Sequence, residues 1–201
     1  HDALPISQQP FEVYLNEQIY KPLNLSNLTF NPLGKINVDW IAPTEMDTFF
    51  RWQLCNGTVH DQTAAMLGGV SGHAGLFASA NDVAVIMQML LNDGEYGGKQ
   101  ILKSSTIDLF TKKHGKNRRG LGFDKPETDN KKATPTSRQC SSLTFGHTGF
   151  TGTCAWVDPK SKLVFVFLSN RVNPSSENKK LIEMNVRTSL QDAIYNALLF
   201  E

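Results

Sequence analysis

The chain has 201 residues, 40% of them hydrophobic and 19% charged, an ordinary balance for a globular domain long enough to bury a sizeable core. Lys and Arg number 20 against 19 Asp and Glu, so nothing in the bulk charge calls for nucleic acid or an anionic membrane as a partner. Cys55, Cys140 and Cys154 form no C-x-x-C pair and have no metal-ligand spacing, which leaves no metal, cofactor or disulfide framework indicated, although one pair could close in an oxidising compartment. The longest apolar run, Leu163 to Leu168, falls far short of a membrane span.

In chain order, His1 to Ile6 back-translates to the end of a widely used sequencing-library adapter. Residues 1–7 are therefore expected to be a non-native scar, with the natural protein beginning further upstream. Phe11, Tyr14, Leu15 and Ile19 recur at helical spacing before Pro22, predicting a helix over 10–23 with Tyr14 facing the core. Residues 24–63 read as loops anchored by Phe30, Trp40, Phe49, Phe50 and Trp52, and four glycines between Gly68 and Gly75 imply closely packed backbone. Ser79-Ala80-Asn81-Asp82 is an S-x-x-D cap opening a helix with Val83, Ile86, Met87 and Leu90 on one face, ended by Asn92-Asp93-Gly94. A turn at Tyr96-Gly97-Gly98 leads to a short helix over 105–110, then a basic loop over 112–119 and a polar, mobile insert over 124–142. Thr153–Val157 and Lys162–Leu168 predict a β-hairpin across Asp158-Pro159-Lys160-Ser161. Ile182, Val186, Leu190, Ile194 and Leu198 predict one long amphipathic C-terminal helix. The sum is an α+β arrangement, an antiparallel sheet packed by helices, without internal repeats.

The most informative stretch is Gly146-His147-Thr148-Gly149-Phe150-Thr151-Gly152. Its three glycines let backbone approach a ligand and hold N–H groups open to an oxyanion. Three segments together resemble the serine β-lactamase-like hydrolases, the superfamily of class C β-lactamases, penicillin-binding proteins and related esterases. The first is Phe11 to Leu15 with Ile19 to Leu25, and the second is Gly68 to Val83 with Met89 to Gly94. The third, Gly146 to Gly152, is similar to that family's third catalytic motif, usually K-T-G and often H-x-G in esterase-like members. In finer detail the chain resembles the serine-hydrolase domain fused to family 3 glycoside hydrolases in Bacteroidetes-type proteins, and cell-wall carboxypeptidase-like enzymes. The resemblance covers residues 8–201 as the C-terminal portion of one such domain.

What the resemblance implies is acyl-enzyme chemistry on an ester, amide or β-lactam-like substrate, small or derived from peptidoglycan, outside the cytoplasm. His147 would join the catalytic hydroxyl network. Thr148 and Gly149 would line the substrate, the Phe150 N–H would be one oxyanion donor, and His73 would contact substrate. The family's nucleophile, a serine on an S-x-x-K helix far ahead of the third motif, has no counterpart in that place. The S-x-x-K at Ser176 to Lys179 follows the third motif, has a spacing that chance supplies about once in such a chain, and reads as the capped start of the last helix. The expectation is thus a serine hydrolase whose nucleophile-bearing N-terminal half lies outside this sequence, so that the isolated chain is inactive. The alternative is a non-catalytic binding or scaffolding module that keeps the fold. Plain structural roles stay open for His147, for His73 and for the adjacent pair His60-Asp61.

Overall fold

The computed structural model describes residues 6–198, so residues 1–5 of the adapter-like stretch lie outside the described residues. The chain forms two compact units, one running to Asp82 and including Asn170–Asn178, the other comprising Val83–Ser169 and the residues from Lys179 onward.

In the first unit, α1 (Phe11–Leu15) runs into a π-helical turn over Asn16–Tyr20, closed by the Lys21 N–H on the Asn16 carbonyl at 2.9 Å. The wider turn rotates the following residues about the axis, and Tyr20 becomes the buried aromatic. Tyr14, expected in the core, is 39% exposed. Burial pushes the Tyr20 hydroxyl up to about 12. Leu23, Leu25, Leu28, Phe30, Ile41, Cys55, Val59, Ala64 and Val172 are buried in the same unit. Strand β1 (Thr29–Phe30) pairs with β4 (Leu76–Phe77), and between them lie the hairpin β2 (Met46–Asp47) with β3 (Gln53–Leu54) and the helix α2 (Gln62–Met66).

The loops of this unit are anchored by polar groups, not by the aromatics expected there. Only Phe30 of the five is buried, while Trp40, Phe49 and Trp52 are exposed and Phe50 is partly so. Asp47 accepts from Phe49 N at 3.1 Å, Phe50 N at 2.8 Å and Arg51 Nε at 2.8 Å, and Arg51 reaches on to the carbonyls of Val59 and His60. A charged carboxylate satisfying two turn amides is worth more to an irregular loop than an indole lying on its surface. Residues 170–178 are stitched in likewise, with Asn173 Nδ2 on the Thr44 carbonyl at 2.9 Å and Ser176 N on Glu45 Oε1 at 2.8 Å. Ser176 is therefore a loop residue and not a helix cap; the N-cap position of the next helix is Lys179, with no side-chain cap bond.

In the second unit, α3 (Ala80–Leu91) starts as its S-x-x-D pattern predicts, with Asp82 N donating to Ser79 Oγ at 3.2 Å and Ser79 Oγ to Asp82 Oδ2 at 3.0 Å. It ends where Gly94 turns left-handed, φ +92, and donates to the Met89 carbonyl. A tight hairpin β5 (Glu95–Tyr96) and β6 (Lys99–Gln100) follows, then α4 (Ser104–Thr111). The central sheet is β7 (Phe145–Thr148), β8 (Cys154–Asp158) and β9 (Leu163–Phe167), all antiparallel, with His147 opposite Ala155 and Trp156 opposite Phe165. Strand periodicity sorts its side chains. Val157, Val164 and Val166 pack with Met87, Val83 and Leu90 of α3 on one face; Cys154, Trp156 and Phe165 pack with Ile194 on the other.

The predicted C-terminal helix is two, α5 (Lys180–Glu183) and α6 (Val186–Leu198), broken where Asn185 takes φ +51. Ile182, Leu190 and Leu198 of the expected apolar face are exposed, and the buried positions of α6 are Gln191 and Tyr195. They are buried because they hold polar partners. Gln191 Oε1 accepts from Ser137 N at 2.9 Å, and Tyr195 donates to Asp158 at 2.8 Å. The insert expected at 124–142 is anchored toward both ends by bonds of this kind, while residues 128–133 lie exposed. Asp124 exchanges two backbone bonds with Gly146, Thr136 and Ser137 are buried, and Ser141 donates to Asp158 from both N and Oγ.

Candidate active site

Strand β7 and the turn after it carry His147, Thr148, Gly149 and Phe150 consecutively. Why Gly146 precedes the histidine is steric: a Cβ there would stand 2.1 Å from the Ala155 carbonyl oxygen and 2.7 Å from the Trp156 ring. With no side chain, Gly146 pairs with β8 on one side and with Asp124 on the other, at 2.7 and 3.1 Å. His147 is thus held on an edge strand paired with β8 and pinned on its other side by one bridge at Gly146, with its side chain exposed.

His147 Nδ1 lies 2.7 Å from the Thr148 carbonyl oxygen. A carbonyl only accepts, so Nδ1 carries the hydrogen, and in the neutral ring Nε2 is the acceptor. Gly149 N donates to the Thr153 carbonyl at 2.8 Å and Gly152 N to the Gly149 carbonyl at 3.1 Å, which closes the turn. Gly152 needs its φ of +113 for this. Arg187 of α6 donates to the same Thr153 carbonyl at 3.0 Å and Ser169 Oγ to the Gly152 carbonyl at 2.9 Å, so the turn is braced from behind. Thr148 is half-buried opposite Cys154, and Phe150 stands 62% exposed at the tip. Chemically, this strand end offers an imidazole acceptor and a hydroxyl, beside a turn that the Gly149 and Gly152 amides hold closed.

His73 belongs to the first unit. Its Nε2 lies 3.0 Å from Asp61 Oδ1 and its Nδ1 2.7 Å from Ser71 Oγ. Asp61 is also the N-cap of α2, accepting from Ala64 N at 2.8 Å, and that bond, then His73, holds its carboxyl below the ordinary range. His60 and Asp61, adjacent in sequence, turn to different partners: His60 Nε2 meets Glu45 Oε2 at 2.8 Å. Burial pushes the Glu45 carboxyl up, but bonds from Ser176 and His60 outweigh it and leave it below the usual value. Sequence reading missed Ser71, Glu45 and Arg187. Only Ser71 carried a signal, a hydroxyl two residues from a histidine in a glycine-rich loop.

Ser176 and Lys179 form no helical S-x-x-K turn, since Ser176 lies in a loop and the helix begins at Lys180. The three cysteines are free thiols, and burial pushes Cys154 up to about 11. Among the described residues, no group of three or more His, Cys, Asp or Glu could hold a metal ion, and no helix is long and apolar enough to cross a membrane.

The chain is similar to known proteins in sequence and in fold. A protein of Escherichia coli strain K12 named as a D-alanyl-D-alanine carboxypeptidase is 39% identical over 180 residues, 83% of this chain and 41% of that protein. A Salmonella agona protein of the same name is 37% identical over 190 residues, 88% of this chain and 44% of its own length. The chain therefore spans less than half the length of these relatives. Among solved structures, a penicillin-binding protein homologue from Caulobacter crescentus superposes with a TM-score of 0.57 at 20% identity, over 83% of this chain and 48% of that one. A simvastatin synthase variant from Aspergillus terreus does so with a TM-score of 0.62 at 20% identity, over 94% and 52%. These two establish the likeness of fold. The β-lactamase family model matches residues 5–186, from α1 through the His147 strand to the start of α6, and the chain belongs to the β-lactamase family.

Proposed function

We propose that the chain is the C-terminal portion of a serine hydrolase that works through an acyl-enzyme on an ester, amide or β-lactam-like substrate, cell-wall-derived and outside the cytoplasm. Its nucleophile lies in sequence upstream of residue 7. The observation that carries this reading is the His147 geometry: Nδ1–H is spent on the Thr148 carbonyl, so Nε2 is the acceptor at the exposed end of a rigid strand. An acceptor there takes a hydrogen bond, and then a proton, from the hydroxyl of the attacking serine or of the substrate network. Thr148 would donate to a substrate carboxylate or carbonyl, along the edge continued by Gly149. The Phe150 N–H, in the braced turn, would donate to the oxyanion. The names of the E. coli and Salmonella relatives favour a cell-wall peptide, and their greater length is consistent with a nucleophile outside residues 7–201.

The test is covalent labelling of the natural longer polypeptide with a fluorescent penicillin, followed by peptide mapping. The proposal expects one β-lactam adduct on a serine upstream of residue 7. A β-lactam adduct inside residues 7–201 would refute the placement of the nucleophile, and no adduct upstream of residue 7 with either a penicillin or a chromogenic ester would refute the activity.

A further inference from the structure

The bonds between Asp61, His73 and Ser71 have a fixed direction. Asp61 sits below the ordinary carboxylate range and is charged, so it only accepts, and His73 Nε2 must carry a hydrogen toward it at 3.0 Å. In the neutral ring Nδ1 is then an acceptor, and the only hydrogen available across 2.7 Å is that of Ser71 Oγ. The Ser71 hydroxyl therefore donates into an imidazole whose far side is held by a carboxylate, leaving both oxygen lone pairs outward. This is the order of groups that activates a hydroxyl for attack, with the ring nitrogens used in the opposite sense from the familiar triad.

The surroundings hold this geometry and leave it accessible. Asp61 is fixed by the Ala64 amide at the start of α2. The loop is pinned by Asn31 Nδ2 on the Gly68 carbonyl at 2.9 Å and by Gly75, where a Cβ would stand 2.3 Å from the Gly69 carbonyl oxygen. Beside the serine the space is open: a Cβ at Gly72 would meet nothing within 4 Å. His73 and Asp61 side chains are 52% and 43% exposed, enough for a small reagent to reach them.

We propose that Ser71 is an activated, acyl-accepting serine served by His73 and Asp61, and that its substrates are small activated esters. Ser71 Oγ bonds to the ester carbonyl carbon while its proton passes to His73 Nδ1, and Asp61 steadies the resulting imidazolium through Nε2–H. Collapse of the tetrahedral species breaks the bond to the leaving phenoxide, which takes the proton back from Nδ1. The products are acyl-Ser71 and a phenol, with the relay restored. A fluorophosphonate probe reports the same step, since Ser71 Oγ displaces fluoride, which departs with the proton. The site lies wholly in the first unit and does not depend on the role given to His147.

The experiment treats the natural longer polypeptide with a fluorophosphonate and follows the labelling rate of each serine by peptide mass spectrometry. Ser71 should react at least about 10-fold faster than Ser176, a threshold set below the roughly 10²–10⁴-fold that a positioned general base provides. His73→Gln should erase that preference. Asp61→Asn keeps an oxygen to cap α2, so it should melt with the parent chain yet lower the Ser71 rate at least about 10-fold. Ser71 labelling no faster than Ser176, or an unchanged Ser71 rate in a folded Asp61→Asn variant, would overturn the proposal.

Discussion

Replacing Gly146 with alanine tests whether the strand that carries His147 is held as described. The added Cβ would meet the Ala155 carbonyl oxygen at 2.1 Å, the Trp156 ring at 2.7 Å and the Trp156 Cα at 2.8 Å. Two of these three are backbone of the paired strand, so relief means prying β7 from β8 and not rotating a side chain. Overpacking of this kind costs about 1–3 kcal/mol. Strand separation also endangers the two bonds between Asp124 and Gly146, at about 1 kcal/mol each. A loss of about 3–5 kcal/mol lowers the melting temperature on the order of 10 °C in a chain of this length. Two other glycines calibrate the result. Gly149→Ala presses on Thr153 Oγ1, the end of a side chain that can turn, and should cost about 1 kcal/mol. Gly72→Ala enters open space at a position outside the left-handed region and should be neutral or stabilising by about 0.5 kcal/mol. Thermal unfolding by circular dichroism ranks the three. A Gly146→Ala variant melting within about 2 °C of the parent would refute the strand geometry.

Acid stability should depend on Asp158. Burial pushes its carboxyl up, but donors from Ser141, Tyr195 and Lys160 outweigh this and hold it below 3.8, so its contribution is complete above that pH and is lost as pH falls through the depressed value. Asp158→Asn should cost about 2 kcal/mol or more at pH 7 and flatten the decline in stability below about pH 4; urea titrations showing the parent's slope in the variant would refute it. Iodide should quench Trp40 and Trp52, which are 80% and 76% exposed, and spare Trp156 at 2%. Trp156→Phe should therefore remove the protected emission, and a protected fraction that survives the substitution would place a different indole in the core.

Signals that rest on local chemistry were legible in the sequence. The Ser79 cap, the Gly94 stop, the hairpin across Asp158 and the core position of Met87 follow from spacing and residue type, because the groups that decide them are neighbours in the chain. Burial in the first unit was not. Aromaticity marks Trp40, Phe49 and Trp52 as anchors, yet the loops close on Asp47 and Arg51, whose partners are backbone groups that no pattern of side chains reveals. The periodicity of Ile182 to Leu198 hides a break at Asn185 and a buried stripe of Gln191 and Tyr195, polar residues buried only because Ser137 and Asp158 meet them across long stretches of sequence. At the candidate site, the His147 motif was legible because its glycines are demanded by the backbone itself. The Asp61, His73 and Ser71 alignment depended on the turn between α2 and β4, whereas His60, adjacent to Asp61 in sequence, turns to Glu45 and keeps the structural role left open for it.

The most direct test of the acyl-transfer reading is the kinetics of His147→Ala in the natural longer polypeptide, measured with a chromogenic ester. Removal of the Nε2 acceptor should lower kcat/KM about 10-fold or more, on the order of 1.4 kcal/mol in transition-state stabilisation. The side chain is exposed and bonded only to the Thr148 carbonyl by its Nδ1, so the melting temperature should stay within about 2 °C of the parent. Unchanged kcat/KM, or unchanged kcat/KM with a loss of stability, would show that the histidine serves the turn and not the reaction.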